Sequence, residues 1–192
     1  MRKNLGIRKQ NKPLITLIGE GLTEQYYFKH IRSLFNYRFS LKPSYFGTTS
    51  LVDMDRKISE VLEGGGIAIC VFDTDVPLRN ESEKKKLQSL HRKYDKKKNV
   101  IFCDSLPSIE YWFLLHYLLT NRHFNDAKSV EREVRKFIPN FKKTTEFLEK
   151  EKWVEELCSN NKLEIAIQRA KDFDDTGSSY TNIFKAFDYF ME

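Results

Sequence analysis

A chain of 192 residues can bury one sizeable core and little more. Its composition, 40% hydrophobic, 14% aromatic and 31% charged, excludes a disordered or low-complexity chain, because aromatic side chains supply much of the buried area a fold needs. A net charge of +6 with an isoelectric point near 9.1 favours a polyanionic partner without specifying one, and no apolar run approaches the ~20 residues of a membrane helix.

Residues 1–12 form a basic, polar arm with Arg2, Lys3, Arg8, Lys9 and Lys12 and no acidic residue. The apolar run that follows is too short for the core of a signal peptide, so a cytoplasmic protein with no membrane association is expected. Leu14–Ile18 reads as a first strand, short and β-branched, closed by Gly19, Glu20 and Gly21. Thr23 then offers an N-cap to a helix on which Tyr27, Ile31, Leu34 and Phe35 recur at helical spacing. A second strand is expected within Arg38–Phe46. Ser50 opens a second helix with Leu51, Met54, Ile58, Val61 and Leu62 on one face, and Gly64–Gly66 ends it.

Ile67–Phe72 is apolar throughout, as a strand covered on both faces should be, and Asp73, Thr74 and Asp75 follow at its carboxyl end. The basic segment 80–98 reads as a third helix and Val100–Cys103 as another buried strand. Pro107 suits the first turn of the next helix, which is apolar nearly all round through Leu119 and should be buried. From about residue 125 the strand signals stop. Val130–Ile138, Glu146–Cys158, Leu163–Phe173 and Asn182–Phe190 read as helices. Strands alternating with helices imply a mostly parallel α/β sheet with right-handed crossovers. The expected organisation is therefore a basic arm over 1–12, an α/β core over 13–124 and a helical extension over 125–192 packed on that core.

Cys70, Cys103 and Cys158 form no CxxC pair and no zinc spacing, and read as small buried hydrophobes. His30, His91, His116 and His123 read as satisfied or solvated. Neither a Gly-x-Ser-x-Gly elbow nor a P-loop is present, which argues against a serine hydrolase or a self-contained ATPase. Lys84–Lys86, Arg92, Lys93 and Lys96–Lys98 form a second basic cluster, either a solvated helix face or a phosphate-contacting surface.

The acidic residues carry more information. In an open α/β sheet, ligands bind beyond the carboxyl ends of the strands. Glu20 follows the first strand, and Asp73 and Asp75 follow the central one. If the extended conformation persists through Thr74, both aspartates point to one side. Glu24, four residues beyond Glu20, would face the same cleft from the first helical turn, and Ser108 and Glu110 follow the strand at 100–103. Converging carboxylates repel unless neutralised. Mg²⁺, a hard cation that prefers oxygen ligands and keeps waters for phosphates to displace, does this well, with Mn²⁺ an alternative. A lone Asp-x-Asp after a strand is often a turn or cap; the combination of Glu20 with Asp73 and Asp75 is more specific, and makes these three the candidate metal ligands.

Three segments carry a resemblance. Leu17–Phe28, Val71–Asp75 and Ser105–His116 resemble the RloB-like family, which shows a Glu-Gly-x-x-Thr-Glu-x-x-Tyr-Phe opening, a Phe-Asp-x-Asp centre and an Asn-Pro-x-x-Glu-x-Trp-x-x-x-His helix. The tail, Ile165–Lys171 followed by Ser178–Thr181, is similar to that family's closing segment. The resemblance implies a Toprim-like fold and a metal-dependent nuclease of bacterial phage-defence loci, acting on DNA or RNA and working with an AAA-type ATPase. Toprim nucleases of the overcoming-lysogenisation type carry Glu-x-x-x-Glu, Asp-x-Asp and Ser-x-Glu elements. The matching positions are Glu20 and Glu24, Asp73 and Asp75, and Ser108 and Glu110. On that resemblance Glu20, Glu24, Asp73, Asp75 and Glu110 are the candidate catalytic residues, with Lys142 or Lys143 on a substrate phosphate. One departure stands out: Leu106 replaces the asparagine of the family's Ser-Asn-Pro and supplies no amide. The alternatives are a non-catalytic interaction or sensor subunit of the same fold, and a primase-type nucleotidyl transferase, for which no nucleotide-binding element is visible.

Overall fold

The computed structural model describes residues 12–44, 47–75, 80–173 and 179–191. The expected basic arm up to residue 11, Tyr45 and Phe46 of the expected second strand and Ser178 of the tail lie outside them. The chain builds a mixed α/β domain on one five-stranded sheet of order β2-β1-β3-β4-β5. Its strands are β1 (Ile15–Gly19), β2 (Phe39–Lys42), β3 (Ile67–Asp73), β4 (Val100–Leu106) and β5 (Tyr180–Thr181). The first four are parallel, with β3 between β1 and β4, and β5 runs antiparallel to β4.

The helices are α1 (Leu22–Phe35), α2 (Leu51–Glu63), α3 (Glu81–Tyr94), α4 (Glu110–Leu115), α5 (Ala127–Val134), α6 (Thr145–Leu148), α7 (Lys152–Cys158), α8 (Lys162–Asp172) and α9 (Phe184–Phe190). A 3-10 turn over Ser159–Asn161 joins α7 to α8. Among the described residues no helix is long and apolar enough to cross a membrane.

Alternation along β3 explains why it is apolar throughout. Ala68, Cys70 and Phe72 face α2 and α3, packing with Ile18, Met54, Ile58, Leu90 and Tyr94. Ile69 and Val71 face the opposite side, where α1 and the helices after β4 form the larger cluster around Tyr27, Phe28, Trp112, Phe113 and Phe187. Cys70 and Cys103 are buried and Cys158 is half-buried, all three as free thiols.

Several boundaries differ from the sequence reading. The N-cap of α1 is Gly21, not Thr23: Glu24 reaches back to accept the Gly21 amide at 2.9 Å, so the carboxylate caps the turn from inside. Ser50 caps α2 as expected, accepting the Asp53 amide at 3.1 Å. The third helix stops at Tyr94, with Asn80 as its cap. The apolar segment expected to be helical through Leu119 ends at Leu115, with Leu118 and Leu119 exposed. Glu146–Cys158 is two short helices rather than one.

The strand missed after residue 125 is β5. Two residues are too few to show alternation, and side chains hold it. Asp104 on β4 accepts the Tyr180 hydroxyl at 2.8 Å and the Asn182 amide at 2.9 Å, while Ser105 Oγ and Thr181 Oγ1 share a hydrogen bond of 2.8 Å.

The C-terminal helices pack into the same hydrophobic cluster as α1 and α4, within which Trp112 Nε1 donates to the Tyr27 hydroxyl at 2.8 Å. From α8, Arg169 donates to the Leu115 carbonyl at 2.7 Å. Two histidines make equivalent ties. His30 Nε2 donates to the Leu148 carbonyl at 2.8 Å and His116 Nδ1 to the Leu157 carbonyl at 2.7 Å. A carbonyl only accepts, so each bonded ring nitrogen carries its hydrogen. Burial pushes His116 down to about 3 and keeps it neutral; its Nε2 has no partner among the described residues. His91 lies half-buried against Phe102, and His123 is exposed.

Candidate active site

The parallel strands deliver the acidic residues to one edge. Glu20 leaves β1 with its amide on the Val71 carbonyl at 3.0 Å, extending the ladder to β3 by one residue. Its own carbonyl accepts the Thr49 amide at 2.7 Å, which ties it to the loop before α2. Its side chain crosses to β3, where Oε2 accepts the Asp73 amide at 2.9 Å. Asp73 passes the contact on: its Oδ1 accepts the Ile109 amide at 2.9 Å, holding the loop between β4 and α4. Glu20, Asp73 and the segment before Glu110 therefore form one continuous hydrogen-bonded edge.

Glu24 and Glu110 complete it from below, at 5% and 0% exposure. Glu110 is oriented by Ser108, whose hydroxyl donates at 2.6 Å, and Lys143 Nζ lies 2.9 Å from its other oxygen. Between Lys142 and Lys143 the geometry selects Lys143; Lys142 is exposed and makes no ion pair with a described residue. Lys143 sits on a loop between α5 and α6, so only the tertiary fold brings it here. Gln25 was also missed. Its buried amide donates to the Gly47 carbonyl at 2.7 Å and accepts the Gly47 amide at 3.1 Å, pinning the loop before α2 to the turn after β1. The Gln that directly follows Glu24 was its only signal in the sequence.

Asp75 departs from expectation. The strand ends at Asp73; the Thr74 amide extends the ladder by one bond to the Ser105 carbonyl at 2.9 Å, which the Thr74 hydroxyl also meets at 3.0 Å, and the chain is helical at the next residue. Asp75 already belongs to a helical turn, so strand alternation does not align it with Asp73. It stays close enough to act on Glu20, whose carboxyl is raised first by burial and then by the charges of Asp75 and Glu83.

Electrostatics at this edge are unbalanced. Asp73 is raised well above the usual carboxylate range, by burial first and then by Glu24, Glu110 and Glu20. Glu24 is pushed up to about 7 by burial and then by Glu110 and Glu20, against the opposing effect of its backbone hydrogen bond. Burial alone would lower Lys143, but the carboxylates around it, Glu110 foremost, raise it instead. One ammonium faces four carboxyl groups. Among the described residues, however, no three Asp, Glu, His or Cys side chains are arranged as a ready metal-ligand set. The reason lies in the hydrogen bonds: Glu20 Oε2, Asp73 Oδ1 and Glu24 Oε2 are each drawn onto a backbone amide.

A pH dependence follows. Glu24 titrates at about 7 in the fold against 4.5 ordinarily, so the folded protein holds more protons than the unfolded chain between those values. Without metal, stability should fall as pH rises through that window, by roughly 3 kcal/mol from Glu24, and level off above it. Asp73 acts with the same sign. Urea unfolding in EDTA at pH 5 and pH 8 checks this, and Glu24→Gln should make the fall smaller, leaving the part that Asp73 contributes.

The model of the RloB-like protein family matches residues 15–187. The chain belongs to the RloB-like family. The match runs from β1 to α9 and so contains every residue of this edge. No curated protein and no solved structure matches the chain. The RloB-like Ser-Asn-Pro position, here Leu106, lies in β4 opposite Tyr180, and the loop after it is held by Asp73 through Ile109 without any side-chain amide.

Proposed function

We propose that this RloB-like protein is a metal-dependent nuclease of Toprim type, cleaving phosphodiester bonds of DNA or RNA in bacterial phage defence with an AAA-type ATPase as partner. The observation that carries the reading is the Glu20–Asp73–Ile109 chain of hydrogen bonds. It joins three separate segments into one edge that also holds Glu24, Glu110 and Lys143.

The donor set fits Mg²⁺ or Mn²⁺. All candidates are hard carboxylate oxygens, and a divalent cation would favour the charged form that burial and mutual repulsion disfavour at Glu20, Glu24 and Asp73. Glu20, Asp73 and Asp75 would hold the ion, which when bound stabilises negative charge building on a phosphodiester. Glu20 and Asp73 each hold a backbone amide with one carboxylate oxygen, which leaves the other for an ion. Lys143 places a cation beside the same carboxylates, where a substrate phosphate would sit. Ser108 fixes the rotamer of Glu110 and so the position of that ammonium.

The interaction-subunit alternative draws on one observation, the absence of a ready ligand set among the described residues. Incubating the protein with plasmid DNA and with RNA, in Mn²⁺, Mg²⁺ or EDTA, decides between them. The nuclease reading expects cleavage that needs metal and falls at least ~100-fold in Lys143→Met, a loss of the size seen when one charge-stabilising donor is removed. No cleavage with either metal favours the interaction subunit, and cleavage unaffected by EDTA contradicts the metal-dependent reading.

A further inference from the structure

The basic segment that reads as one cluster in the sequence is divided by the fold. Helix α3 follows β3 at the carboxyl ends of the strands and precedes β4 at their amino ends. Its 14 residues span ~20 Å at 1.5 Å each. Lys84–Lys86 therefore lie at the carboxylate end, in the turn of Glu83, which pairs with Lys86. Lys96, Lys97 and Lys98 lie at the opposite edge of the sheet.

We propose that this amino-end edge is a nucleic-acid docking edge, separate from the carboxylates, on which Lys96, Lys97 and Lys98 hold backbone phosphates. The choice of nucleic acid as the polyanion rests on the nuclease reading; the existence of the edge does not.

The three lysines are presented rigidly. They sit in a tight turn closed by the Lys97 amide on the Tyr94 carbonyl at 2.8 Å and the Val100 amide on the Lys97 carbonyl at 3.1 Å. Tyr94 is itself buried, with its hydroxyl 2.6 Å from Asp55. All three lysines are exposed, and none makes an ion pair with a described residue, unlike Lys93, which pairs with Asp55 at 2.7 Å. A balancing role for the α3 dipole accounts for Arg92 and Lys93 in its last turn; that effect fades beyond it, where Lys96–Lys98 stand.

The edge continues across the sheet. Arg38 precedes β2 and is exposed, and Lys12 precedes β1, where the acid-free N-terminal segment enters the fold. Glu63 and Asp95 flank the same strand ends, and Glu164 lies close enough to act on Tyr37, next to Arg38. With neighbouring strands ~4.8 Å apart, Arg38 and the lysine turn stand ~15 Å apart across the four parallel strands. A row of that length suits the phosphates of a polynucleotide better than a single small anion. A bilayer would call for one amphipathic helix here, whereas the exposed apolar residues at this edge, Leu14 and Phe35, come from separate segments.

Binding of a fluorescent 20-base-pair DNA duplex, and of its RNA counterpart, to the full chain in EDTA over a range of salt tests this. The Lys96→Ser, Lys97→Ser, Lys98→Ser triple variant should keep the parent's melting temperature, since the turn is held by backbone bonds. Its log–log salt slope should be shallower by ~2.7, at about 0.9 for each of three phosphates no longer neutralised, with affinity ~10-fold or more weaker at low salt. A slope and affinity unchanged in the triple variant overturn the proposal. So does a loss confined to vesicles containing phosphatidylserine, which would assign the edge to membrane. A changed slope in a protein that never cleaves would sink the nuclease reading and leave the docking edge standing.

Discussion

Replacing Asp73 by Asn should abolish the thermal response to divalent metal while leaving the metal-free protein as stable as the parent or more so. The carboxamide introduced by Asp73→Asn would retain the oxygen that accepts the Ile109 amide, so the loop before α4 stays anchored. It would remove one buried negative charge from beside Glu20, Glu24 and Glu110. Binding to the folded state alone stabilises by mass action, about 2.7 kcal/mol at a hundred times the dissociation constant. For a chain of this size, that is a rise of about 5–10 °C in the parent. Melting curves of both proteins in Mg²⁺, Mn²⁺ and EDTA read it. If Asp73 were only a structural tie, the parent would ignore metal, and Asp73→Asn, which keeps the tie, would give the same melting temperature with metal as in EDTA just as the parent does.

Trp112→Ala should be the most damaging substitution outside the site. The indole is fully buried between Phe187 at 5.7 Å and His116 at 4.9 Å between ring centres, and its Nε1 bonds the equally buried Tyr27. Truncating such a residue costs about 3–5 kcal/mol, a fall of ~10 °C in melting temperature. Trp112→Phe keeps most of the packing but deletes the donor to Tyr27, at a cost of ~1–3 kcal/mol. A Trp112→Ala loss below ~1 kcal/mol would contradict the description of α1, α4 and α9 as one shared core.

The parallel part of this fold was legible because strands buried on both faces are continuous apolar runs. Ile67–Phe72 and Leu14–Ile18 name themselves, and Glu20 and Asp73 follow directly. The bond from Asp73 to Glu20 is the close approach that such neighbouring strands require. Local periodicity failed where tertiary contacts decide. Strand β5 exists because Asp104 and Ser105 hold it, and no two-residue window displays a period. Lys143 could not be chosen over Lys142 because its partner Glu110 is distant in sequence. The alignment of Asp75 with Asp73 presumed a strand that continues through residue 75, whereas the chain is already helical there. The basic run 84–98 looked like one surface because a sequence does not show that a crossover helix carries its two ends to opposite edges of a sheet.

The central claim is that carboxylates from β1 and β3 share a metal ion. Anomalous diffraction from crystals soaked in Mn²⁺ tests it most directly. The expected result is a peak ~2.1 Å from carboxylate oxygens of both Glu20 and Asp73, with Asp75 completing the set. Full soaking with no peak at this edge, or with a peak that only one of Glu20 and Asp73 reaches, would contradict it.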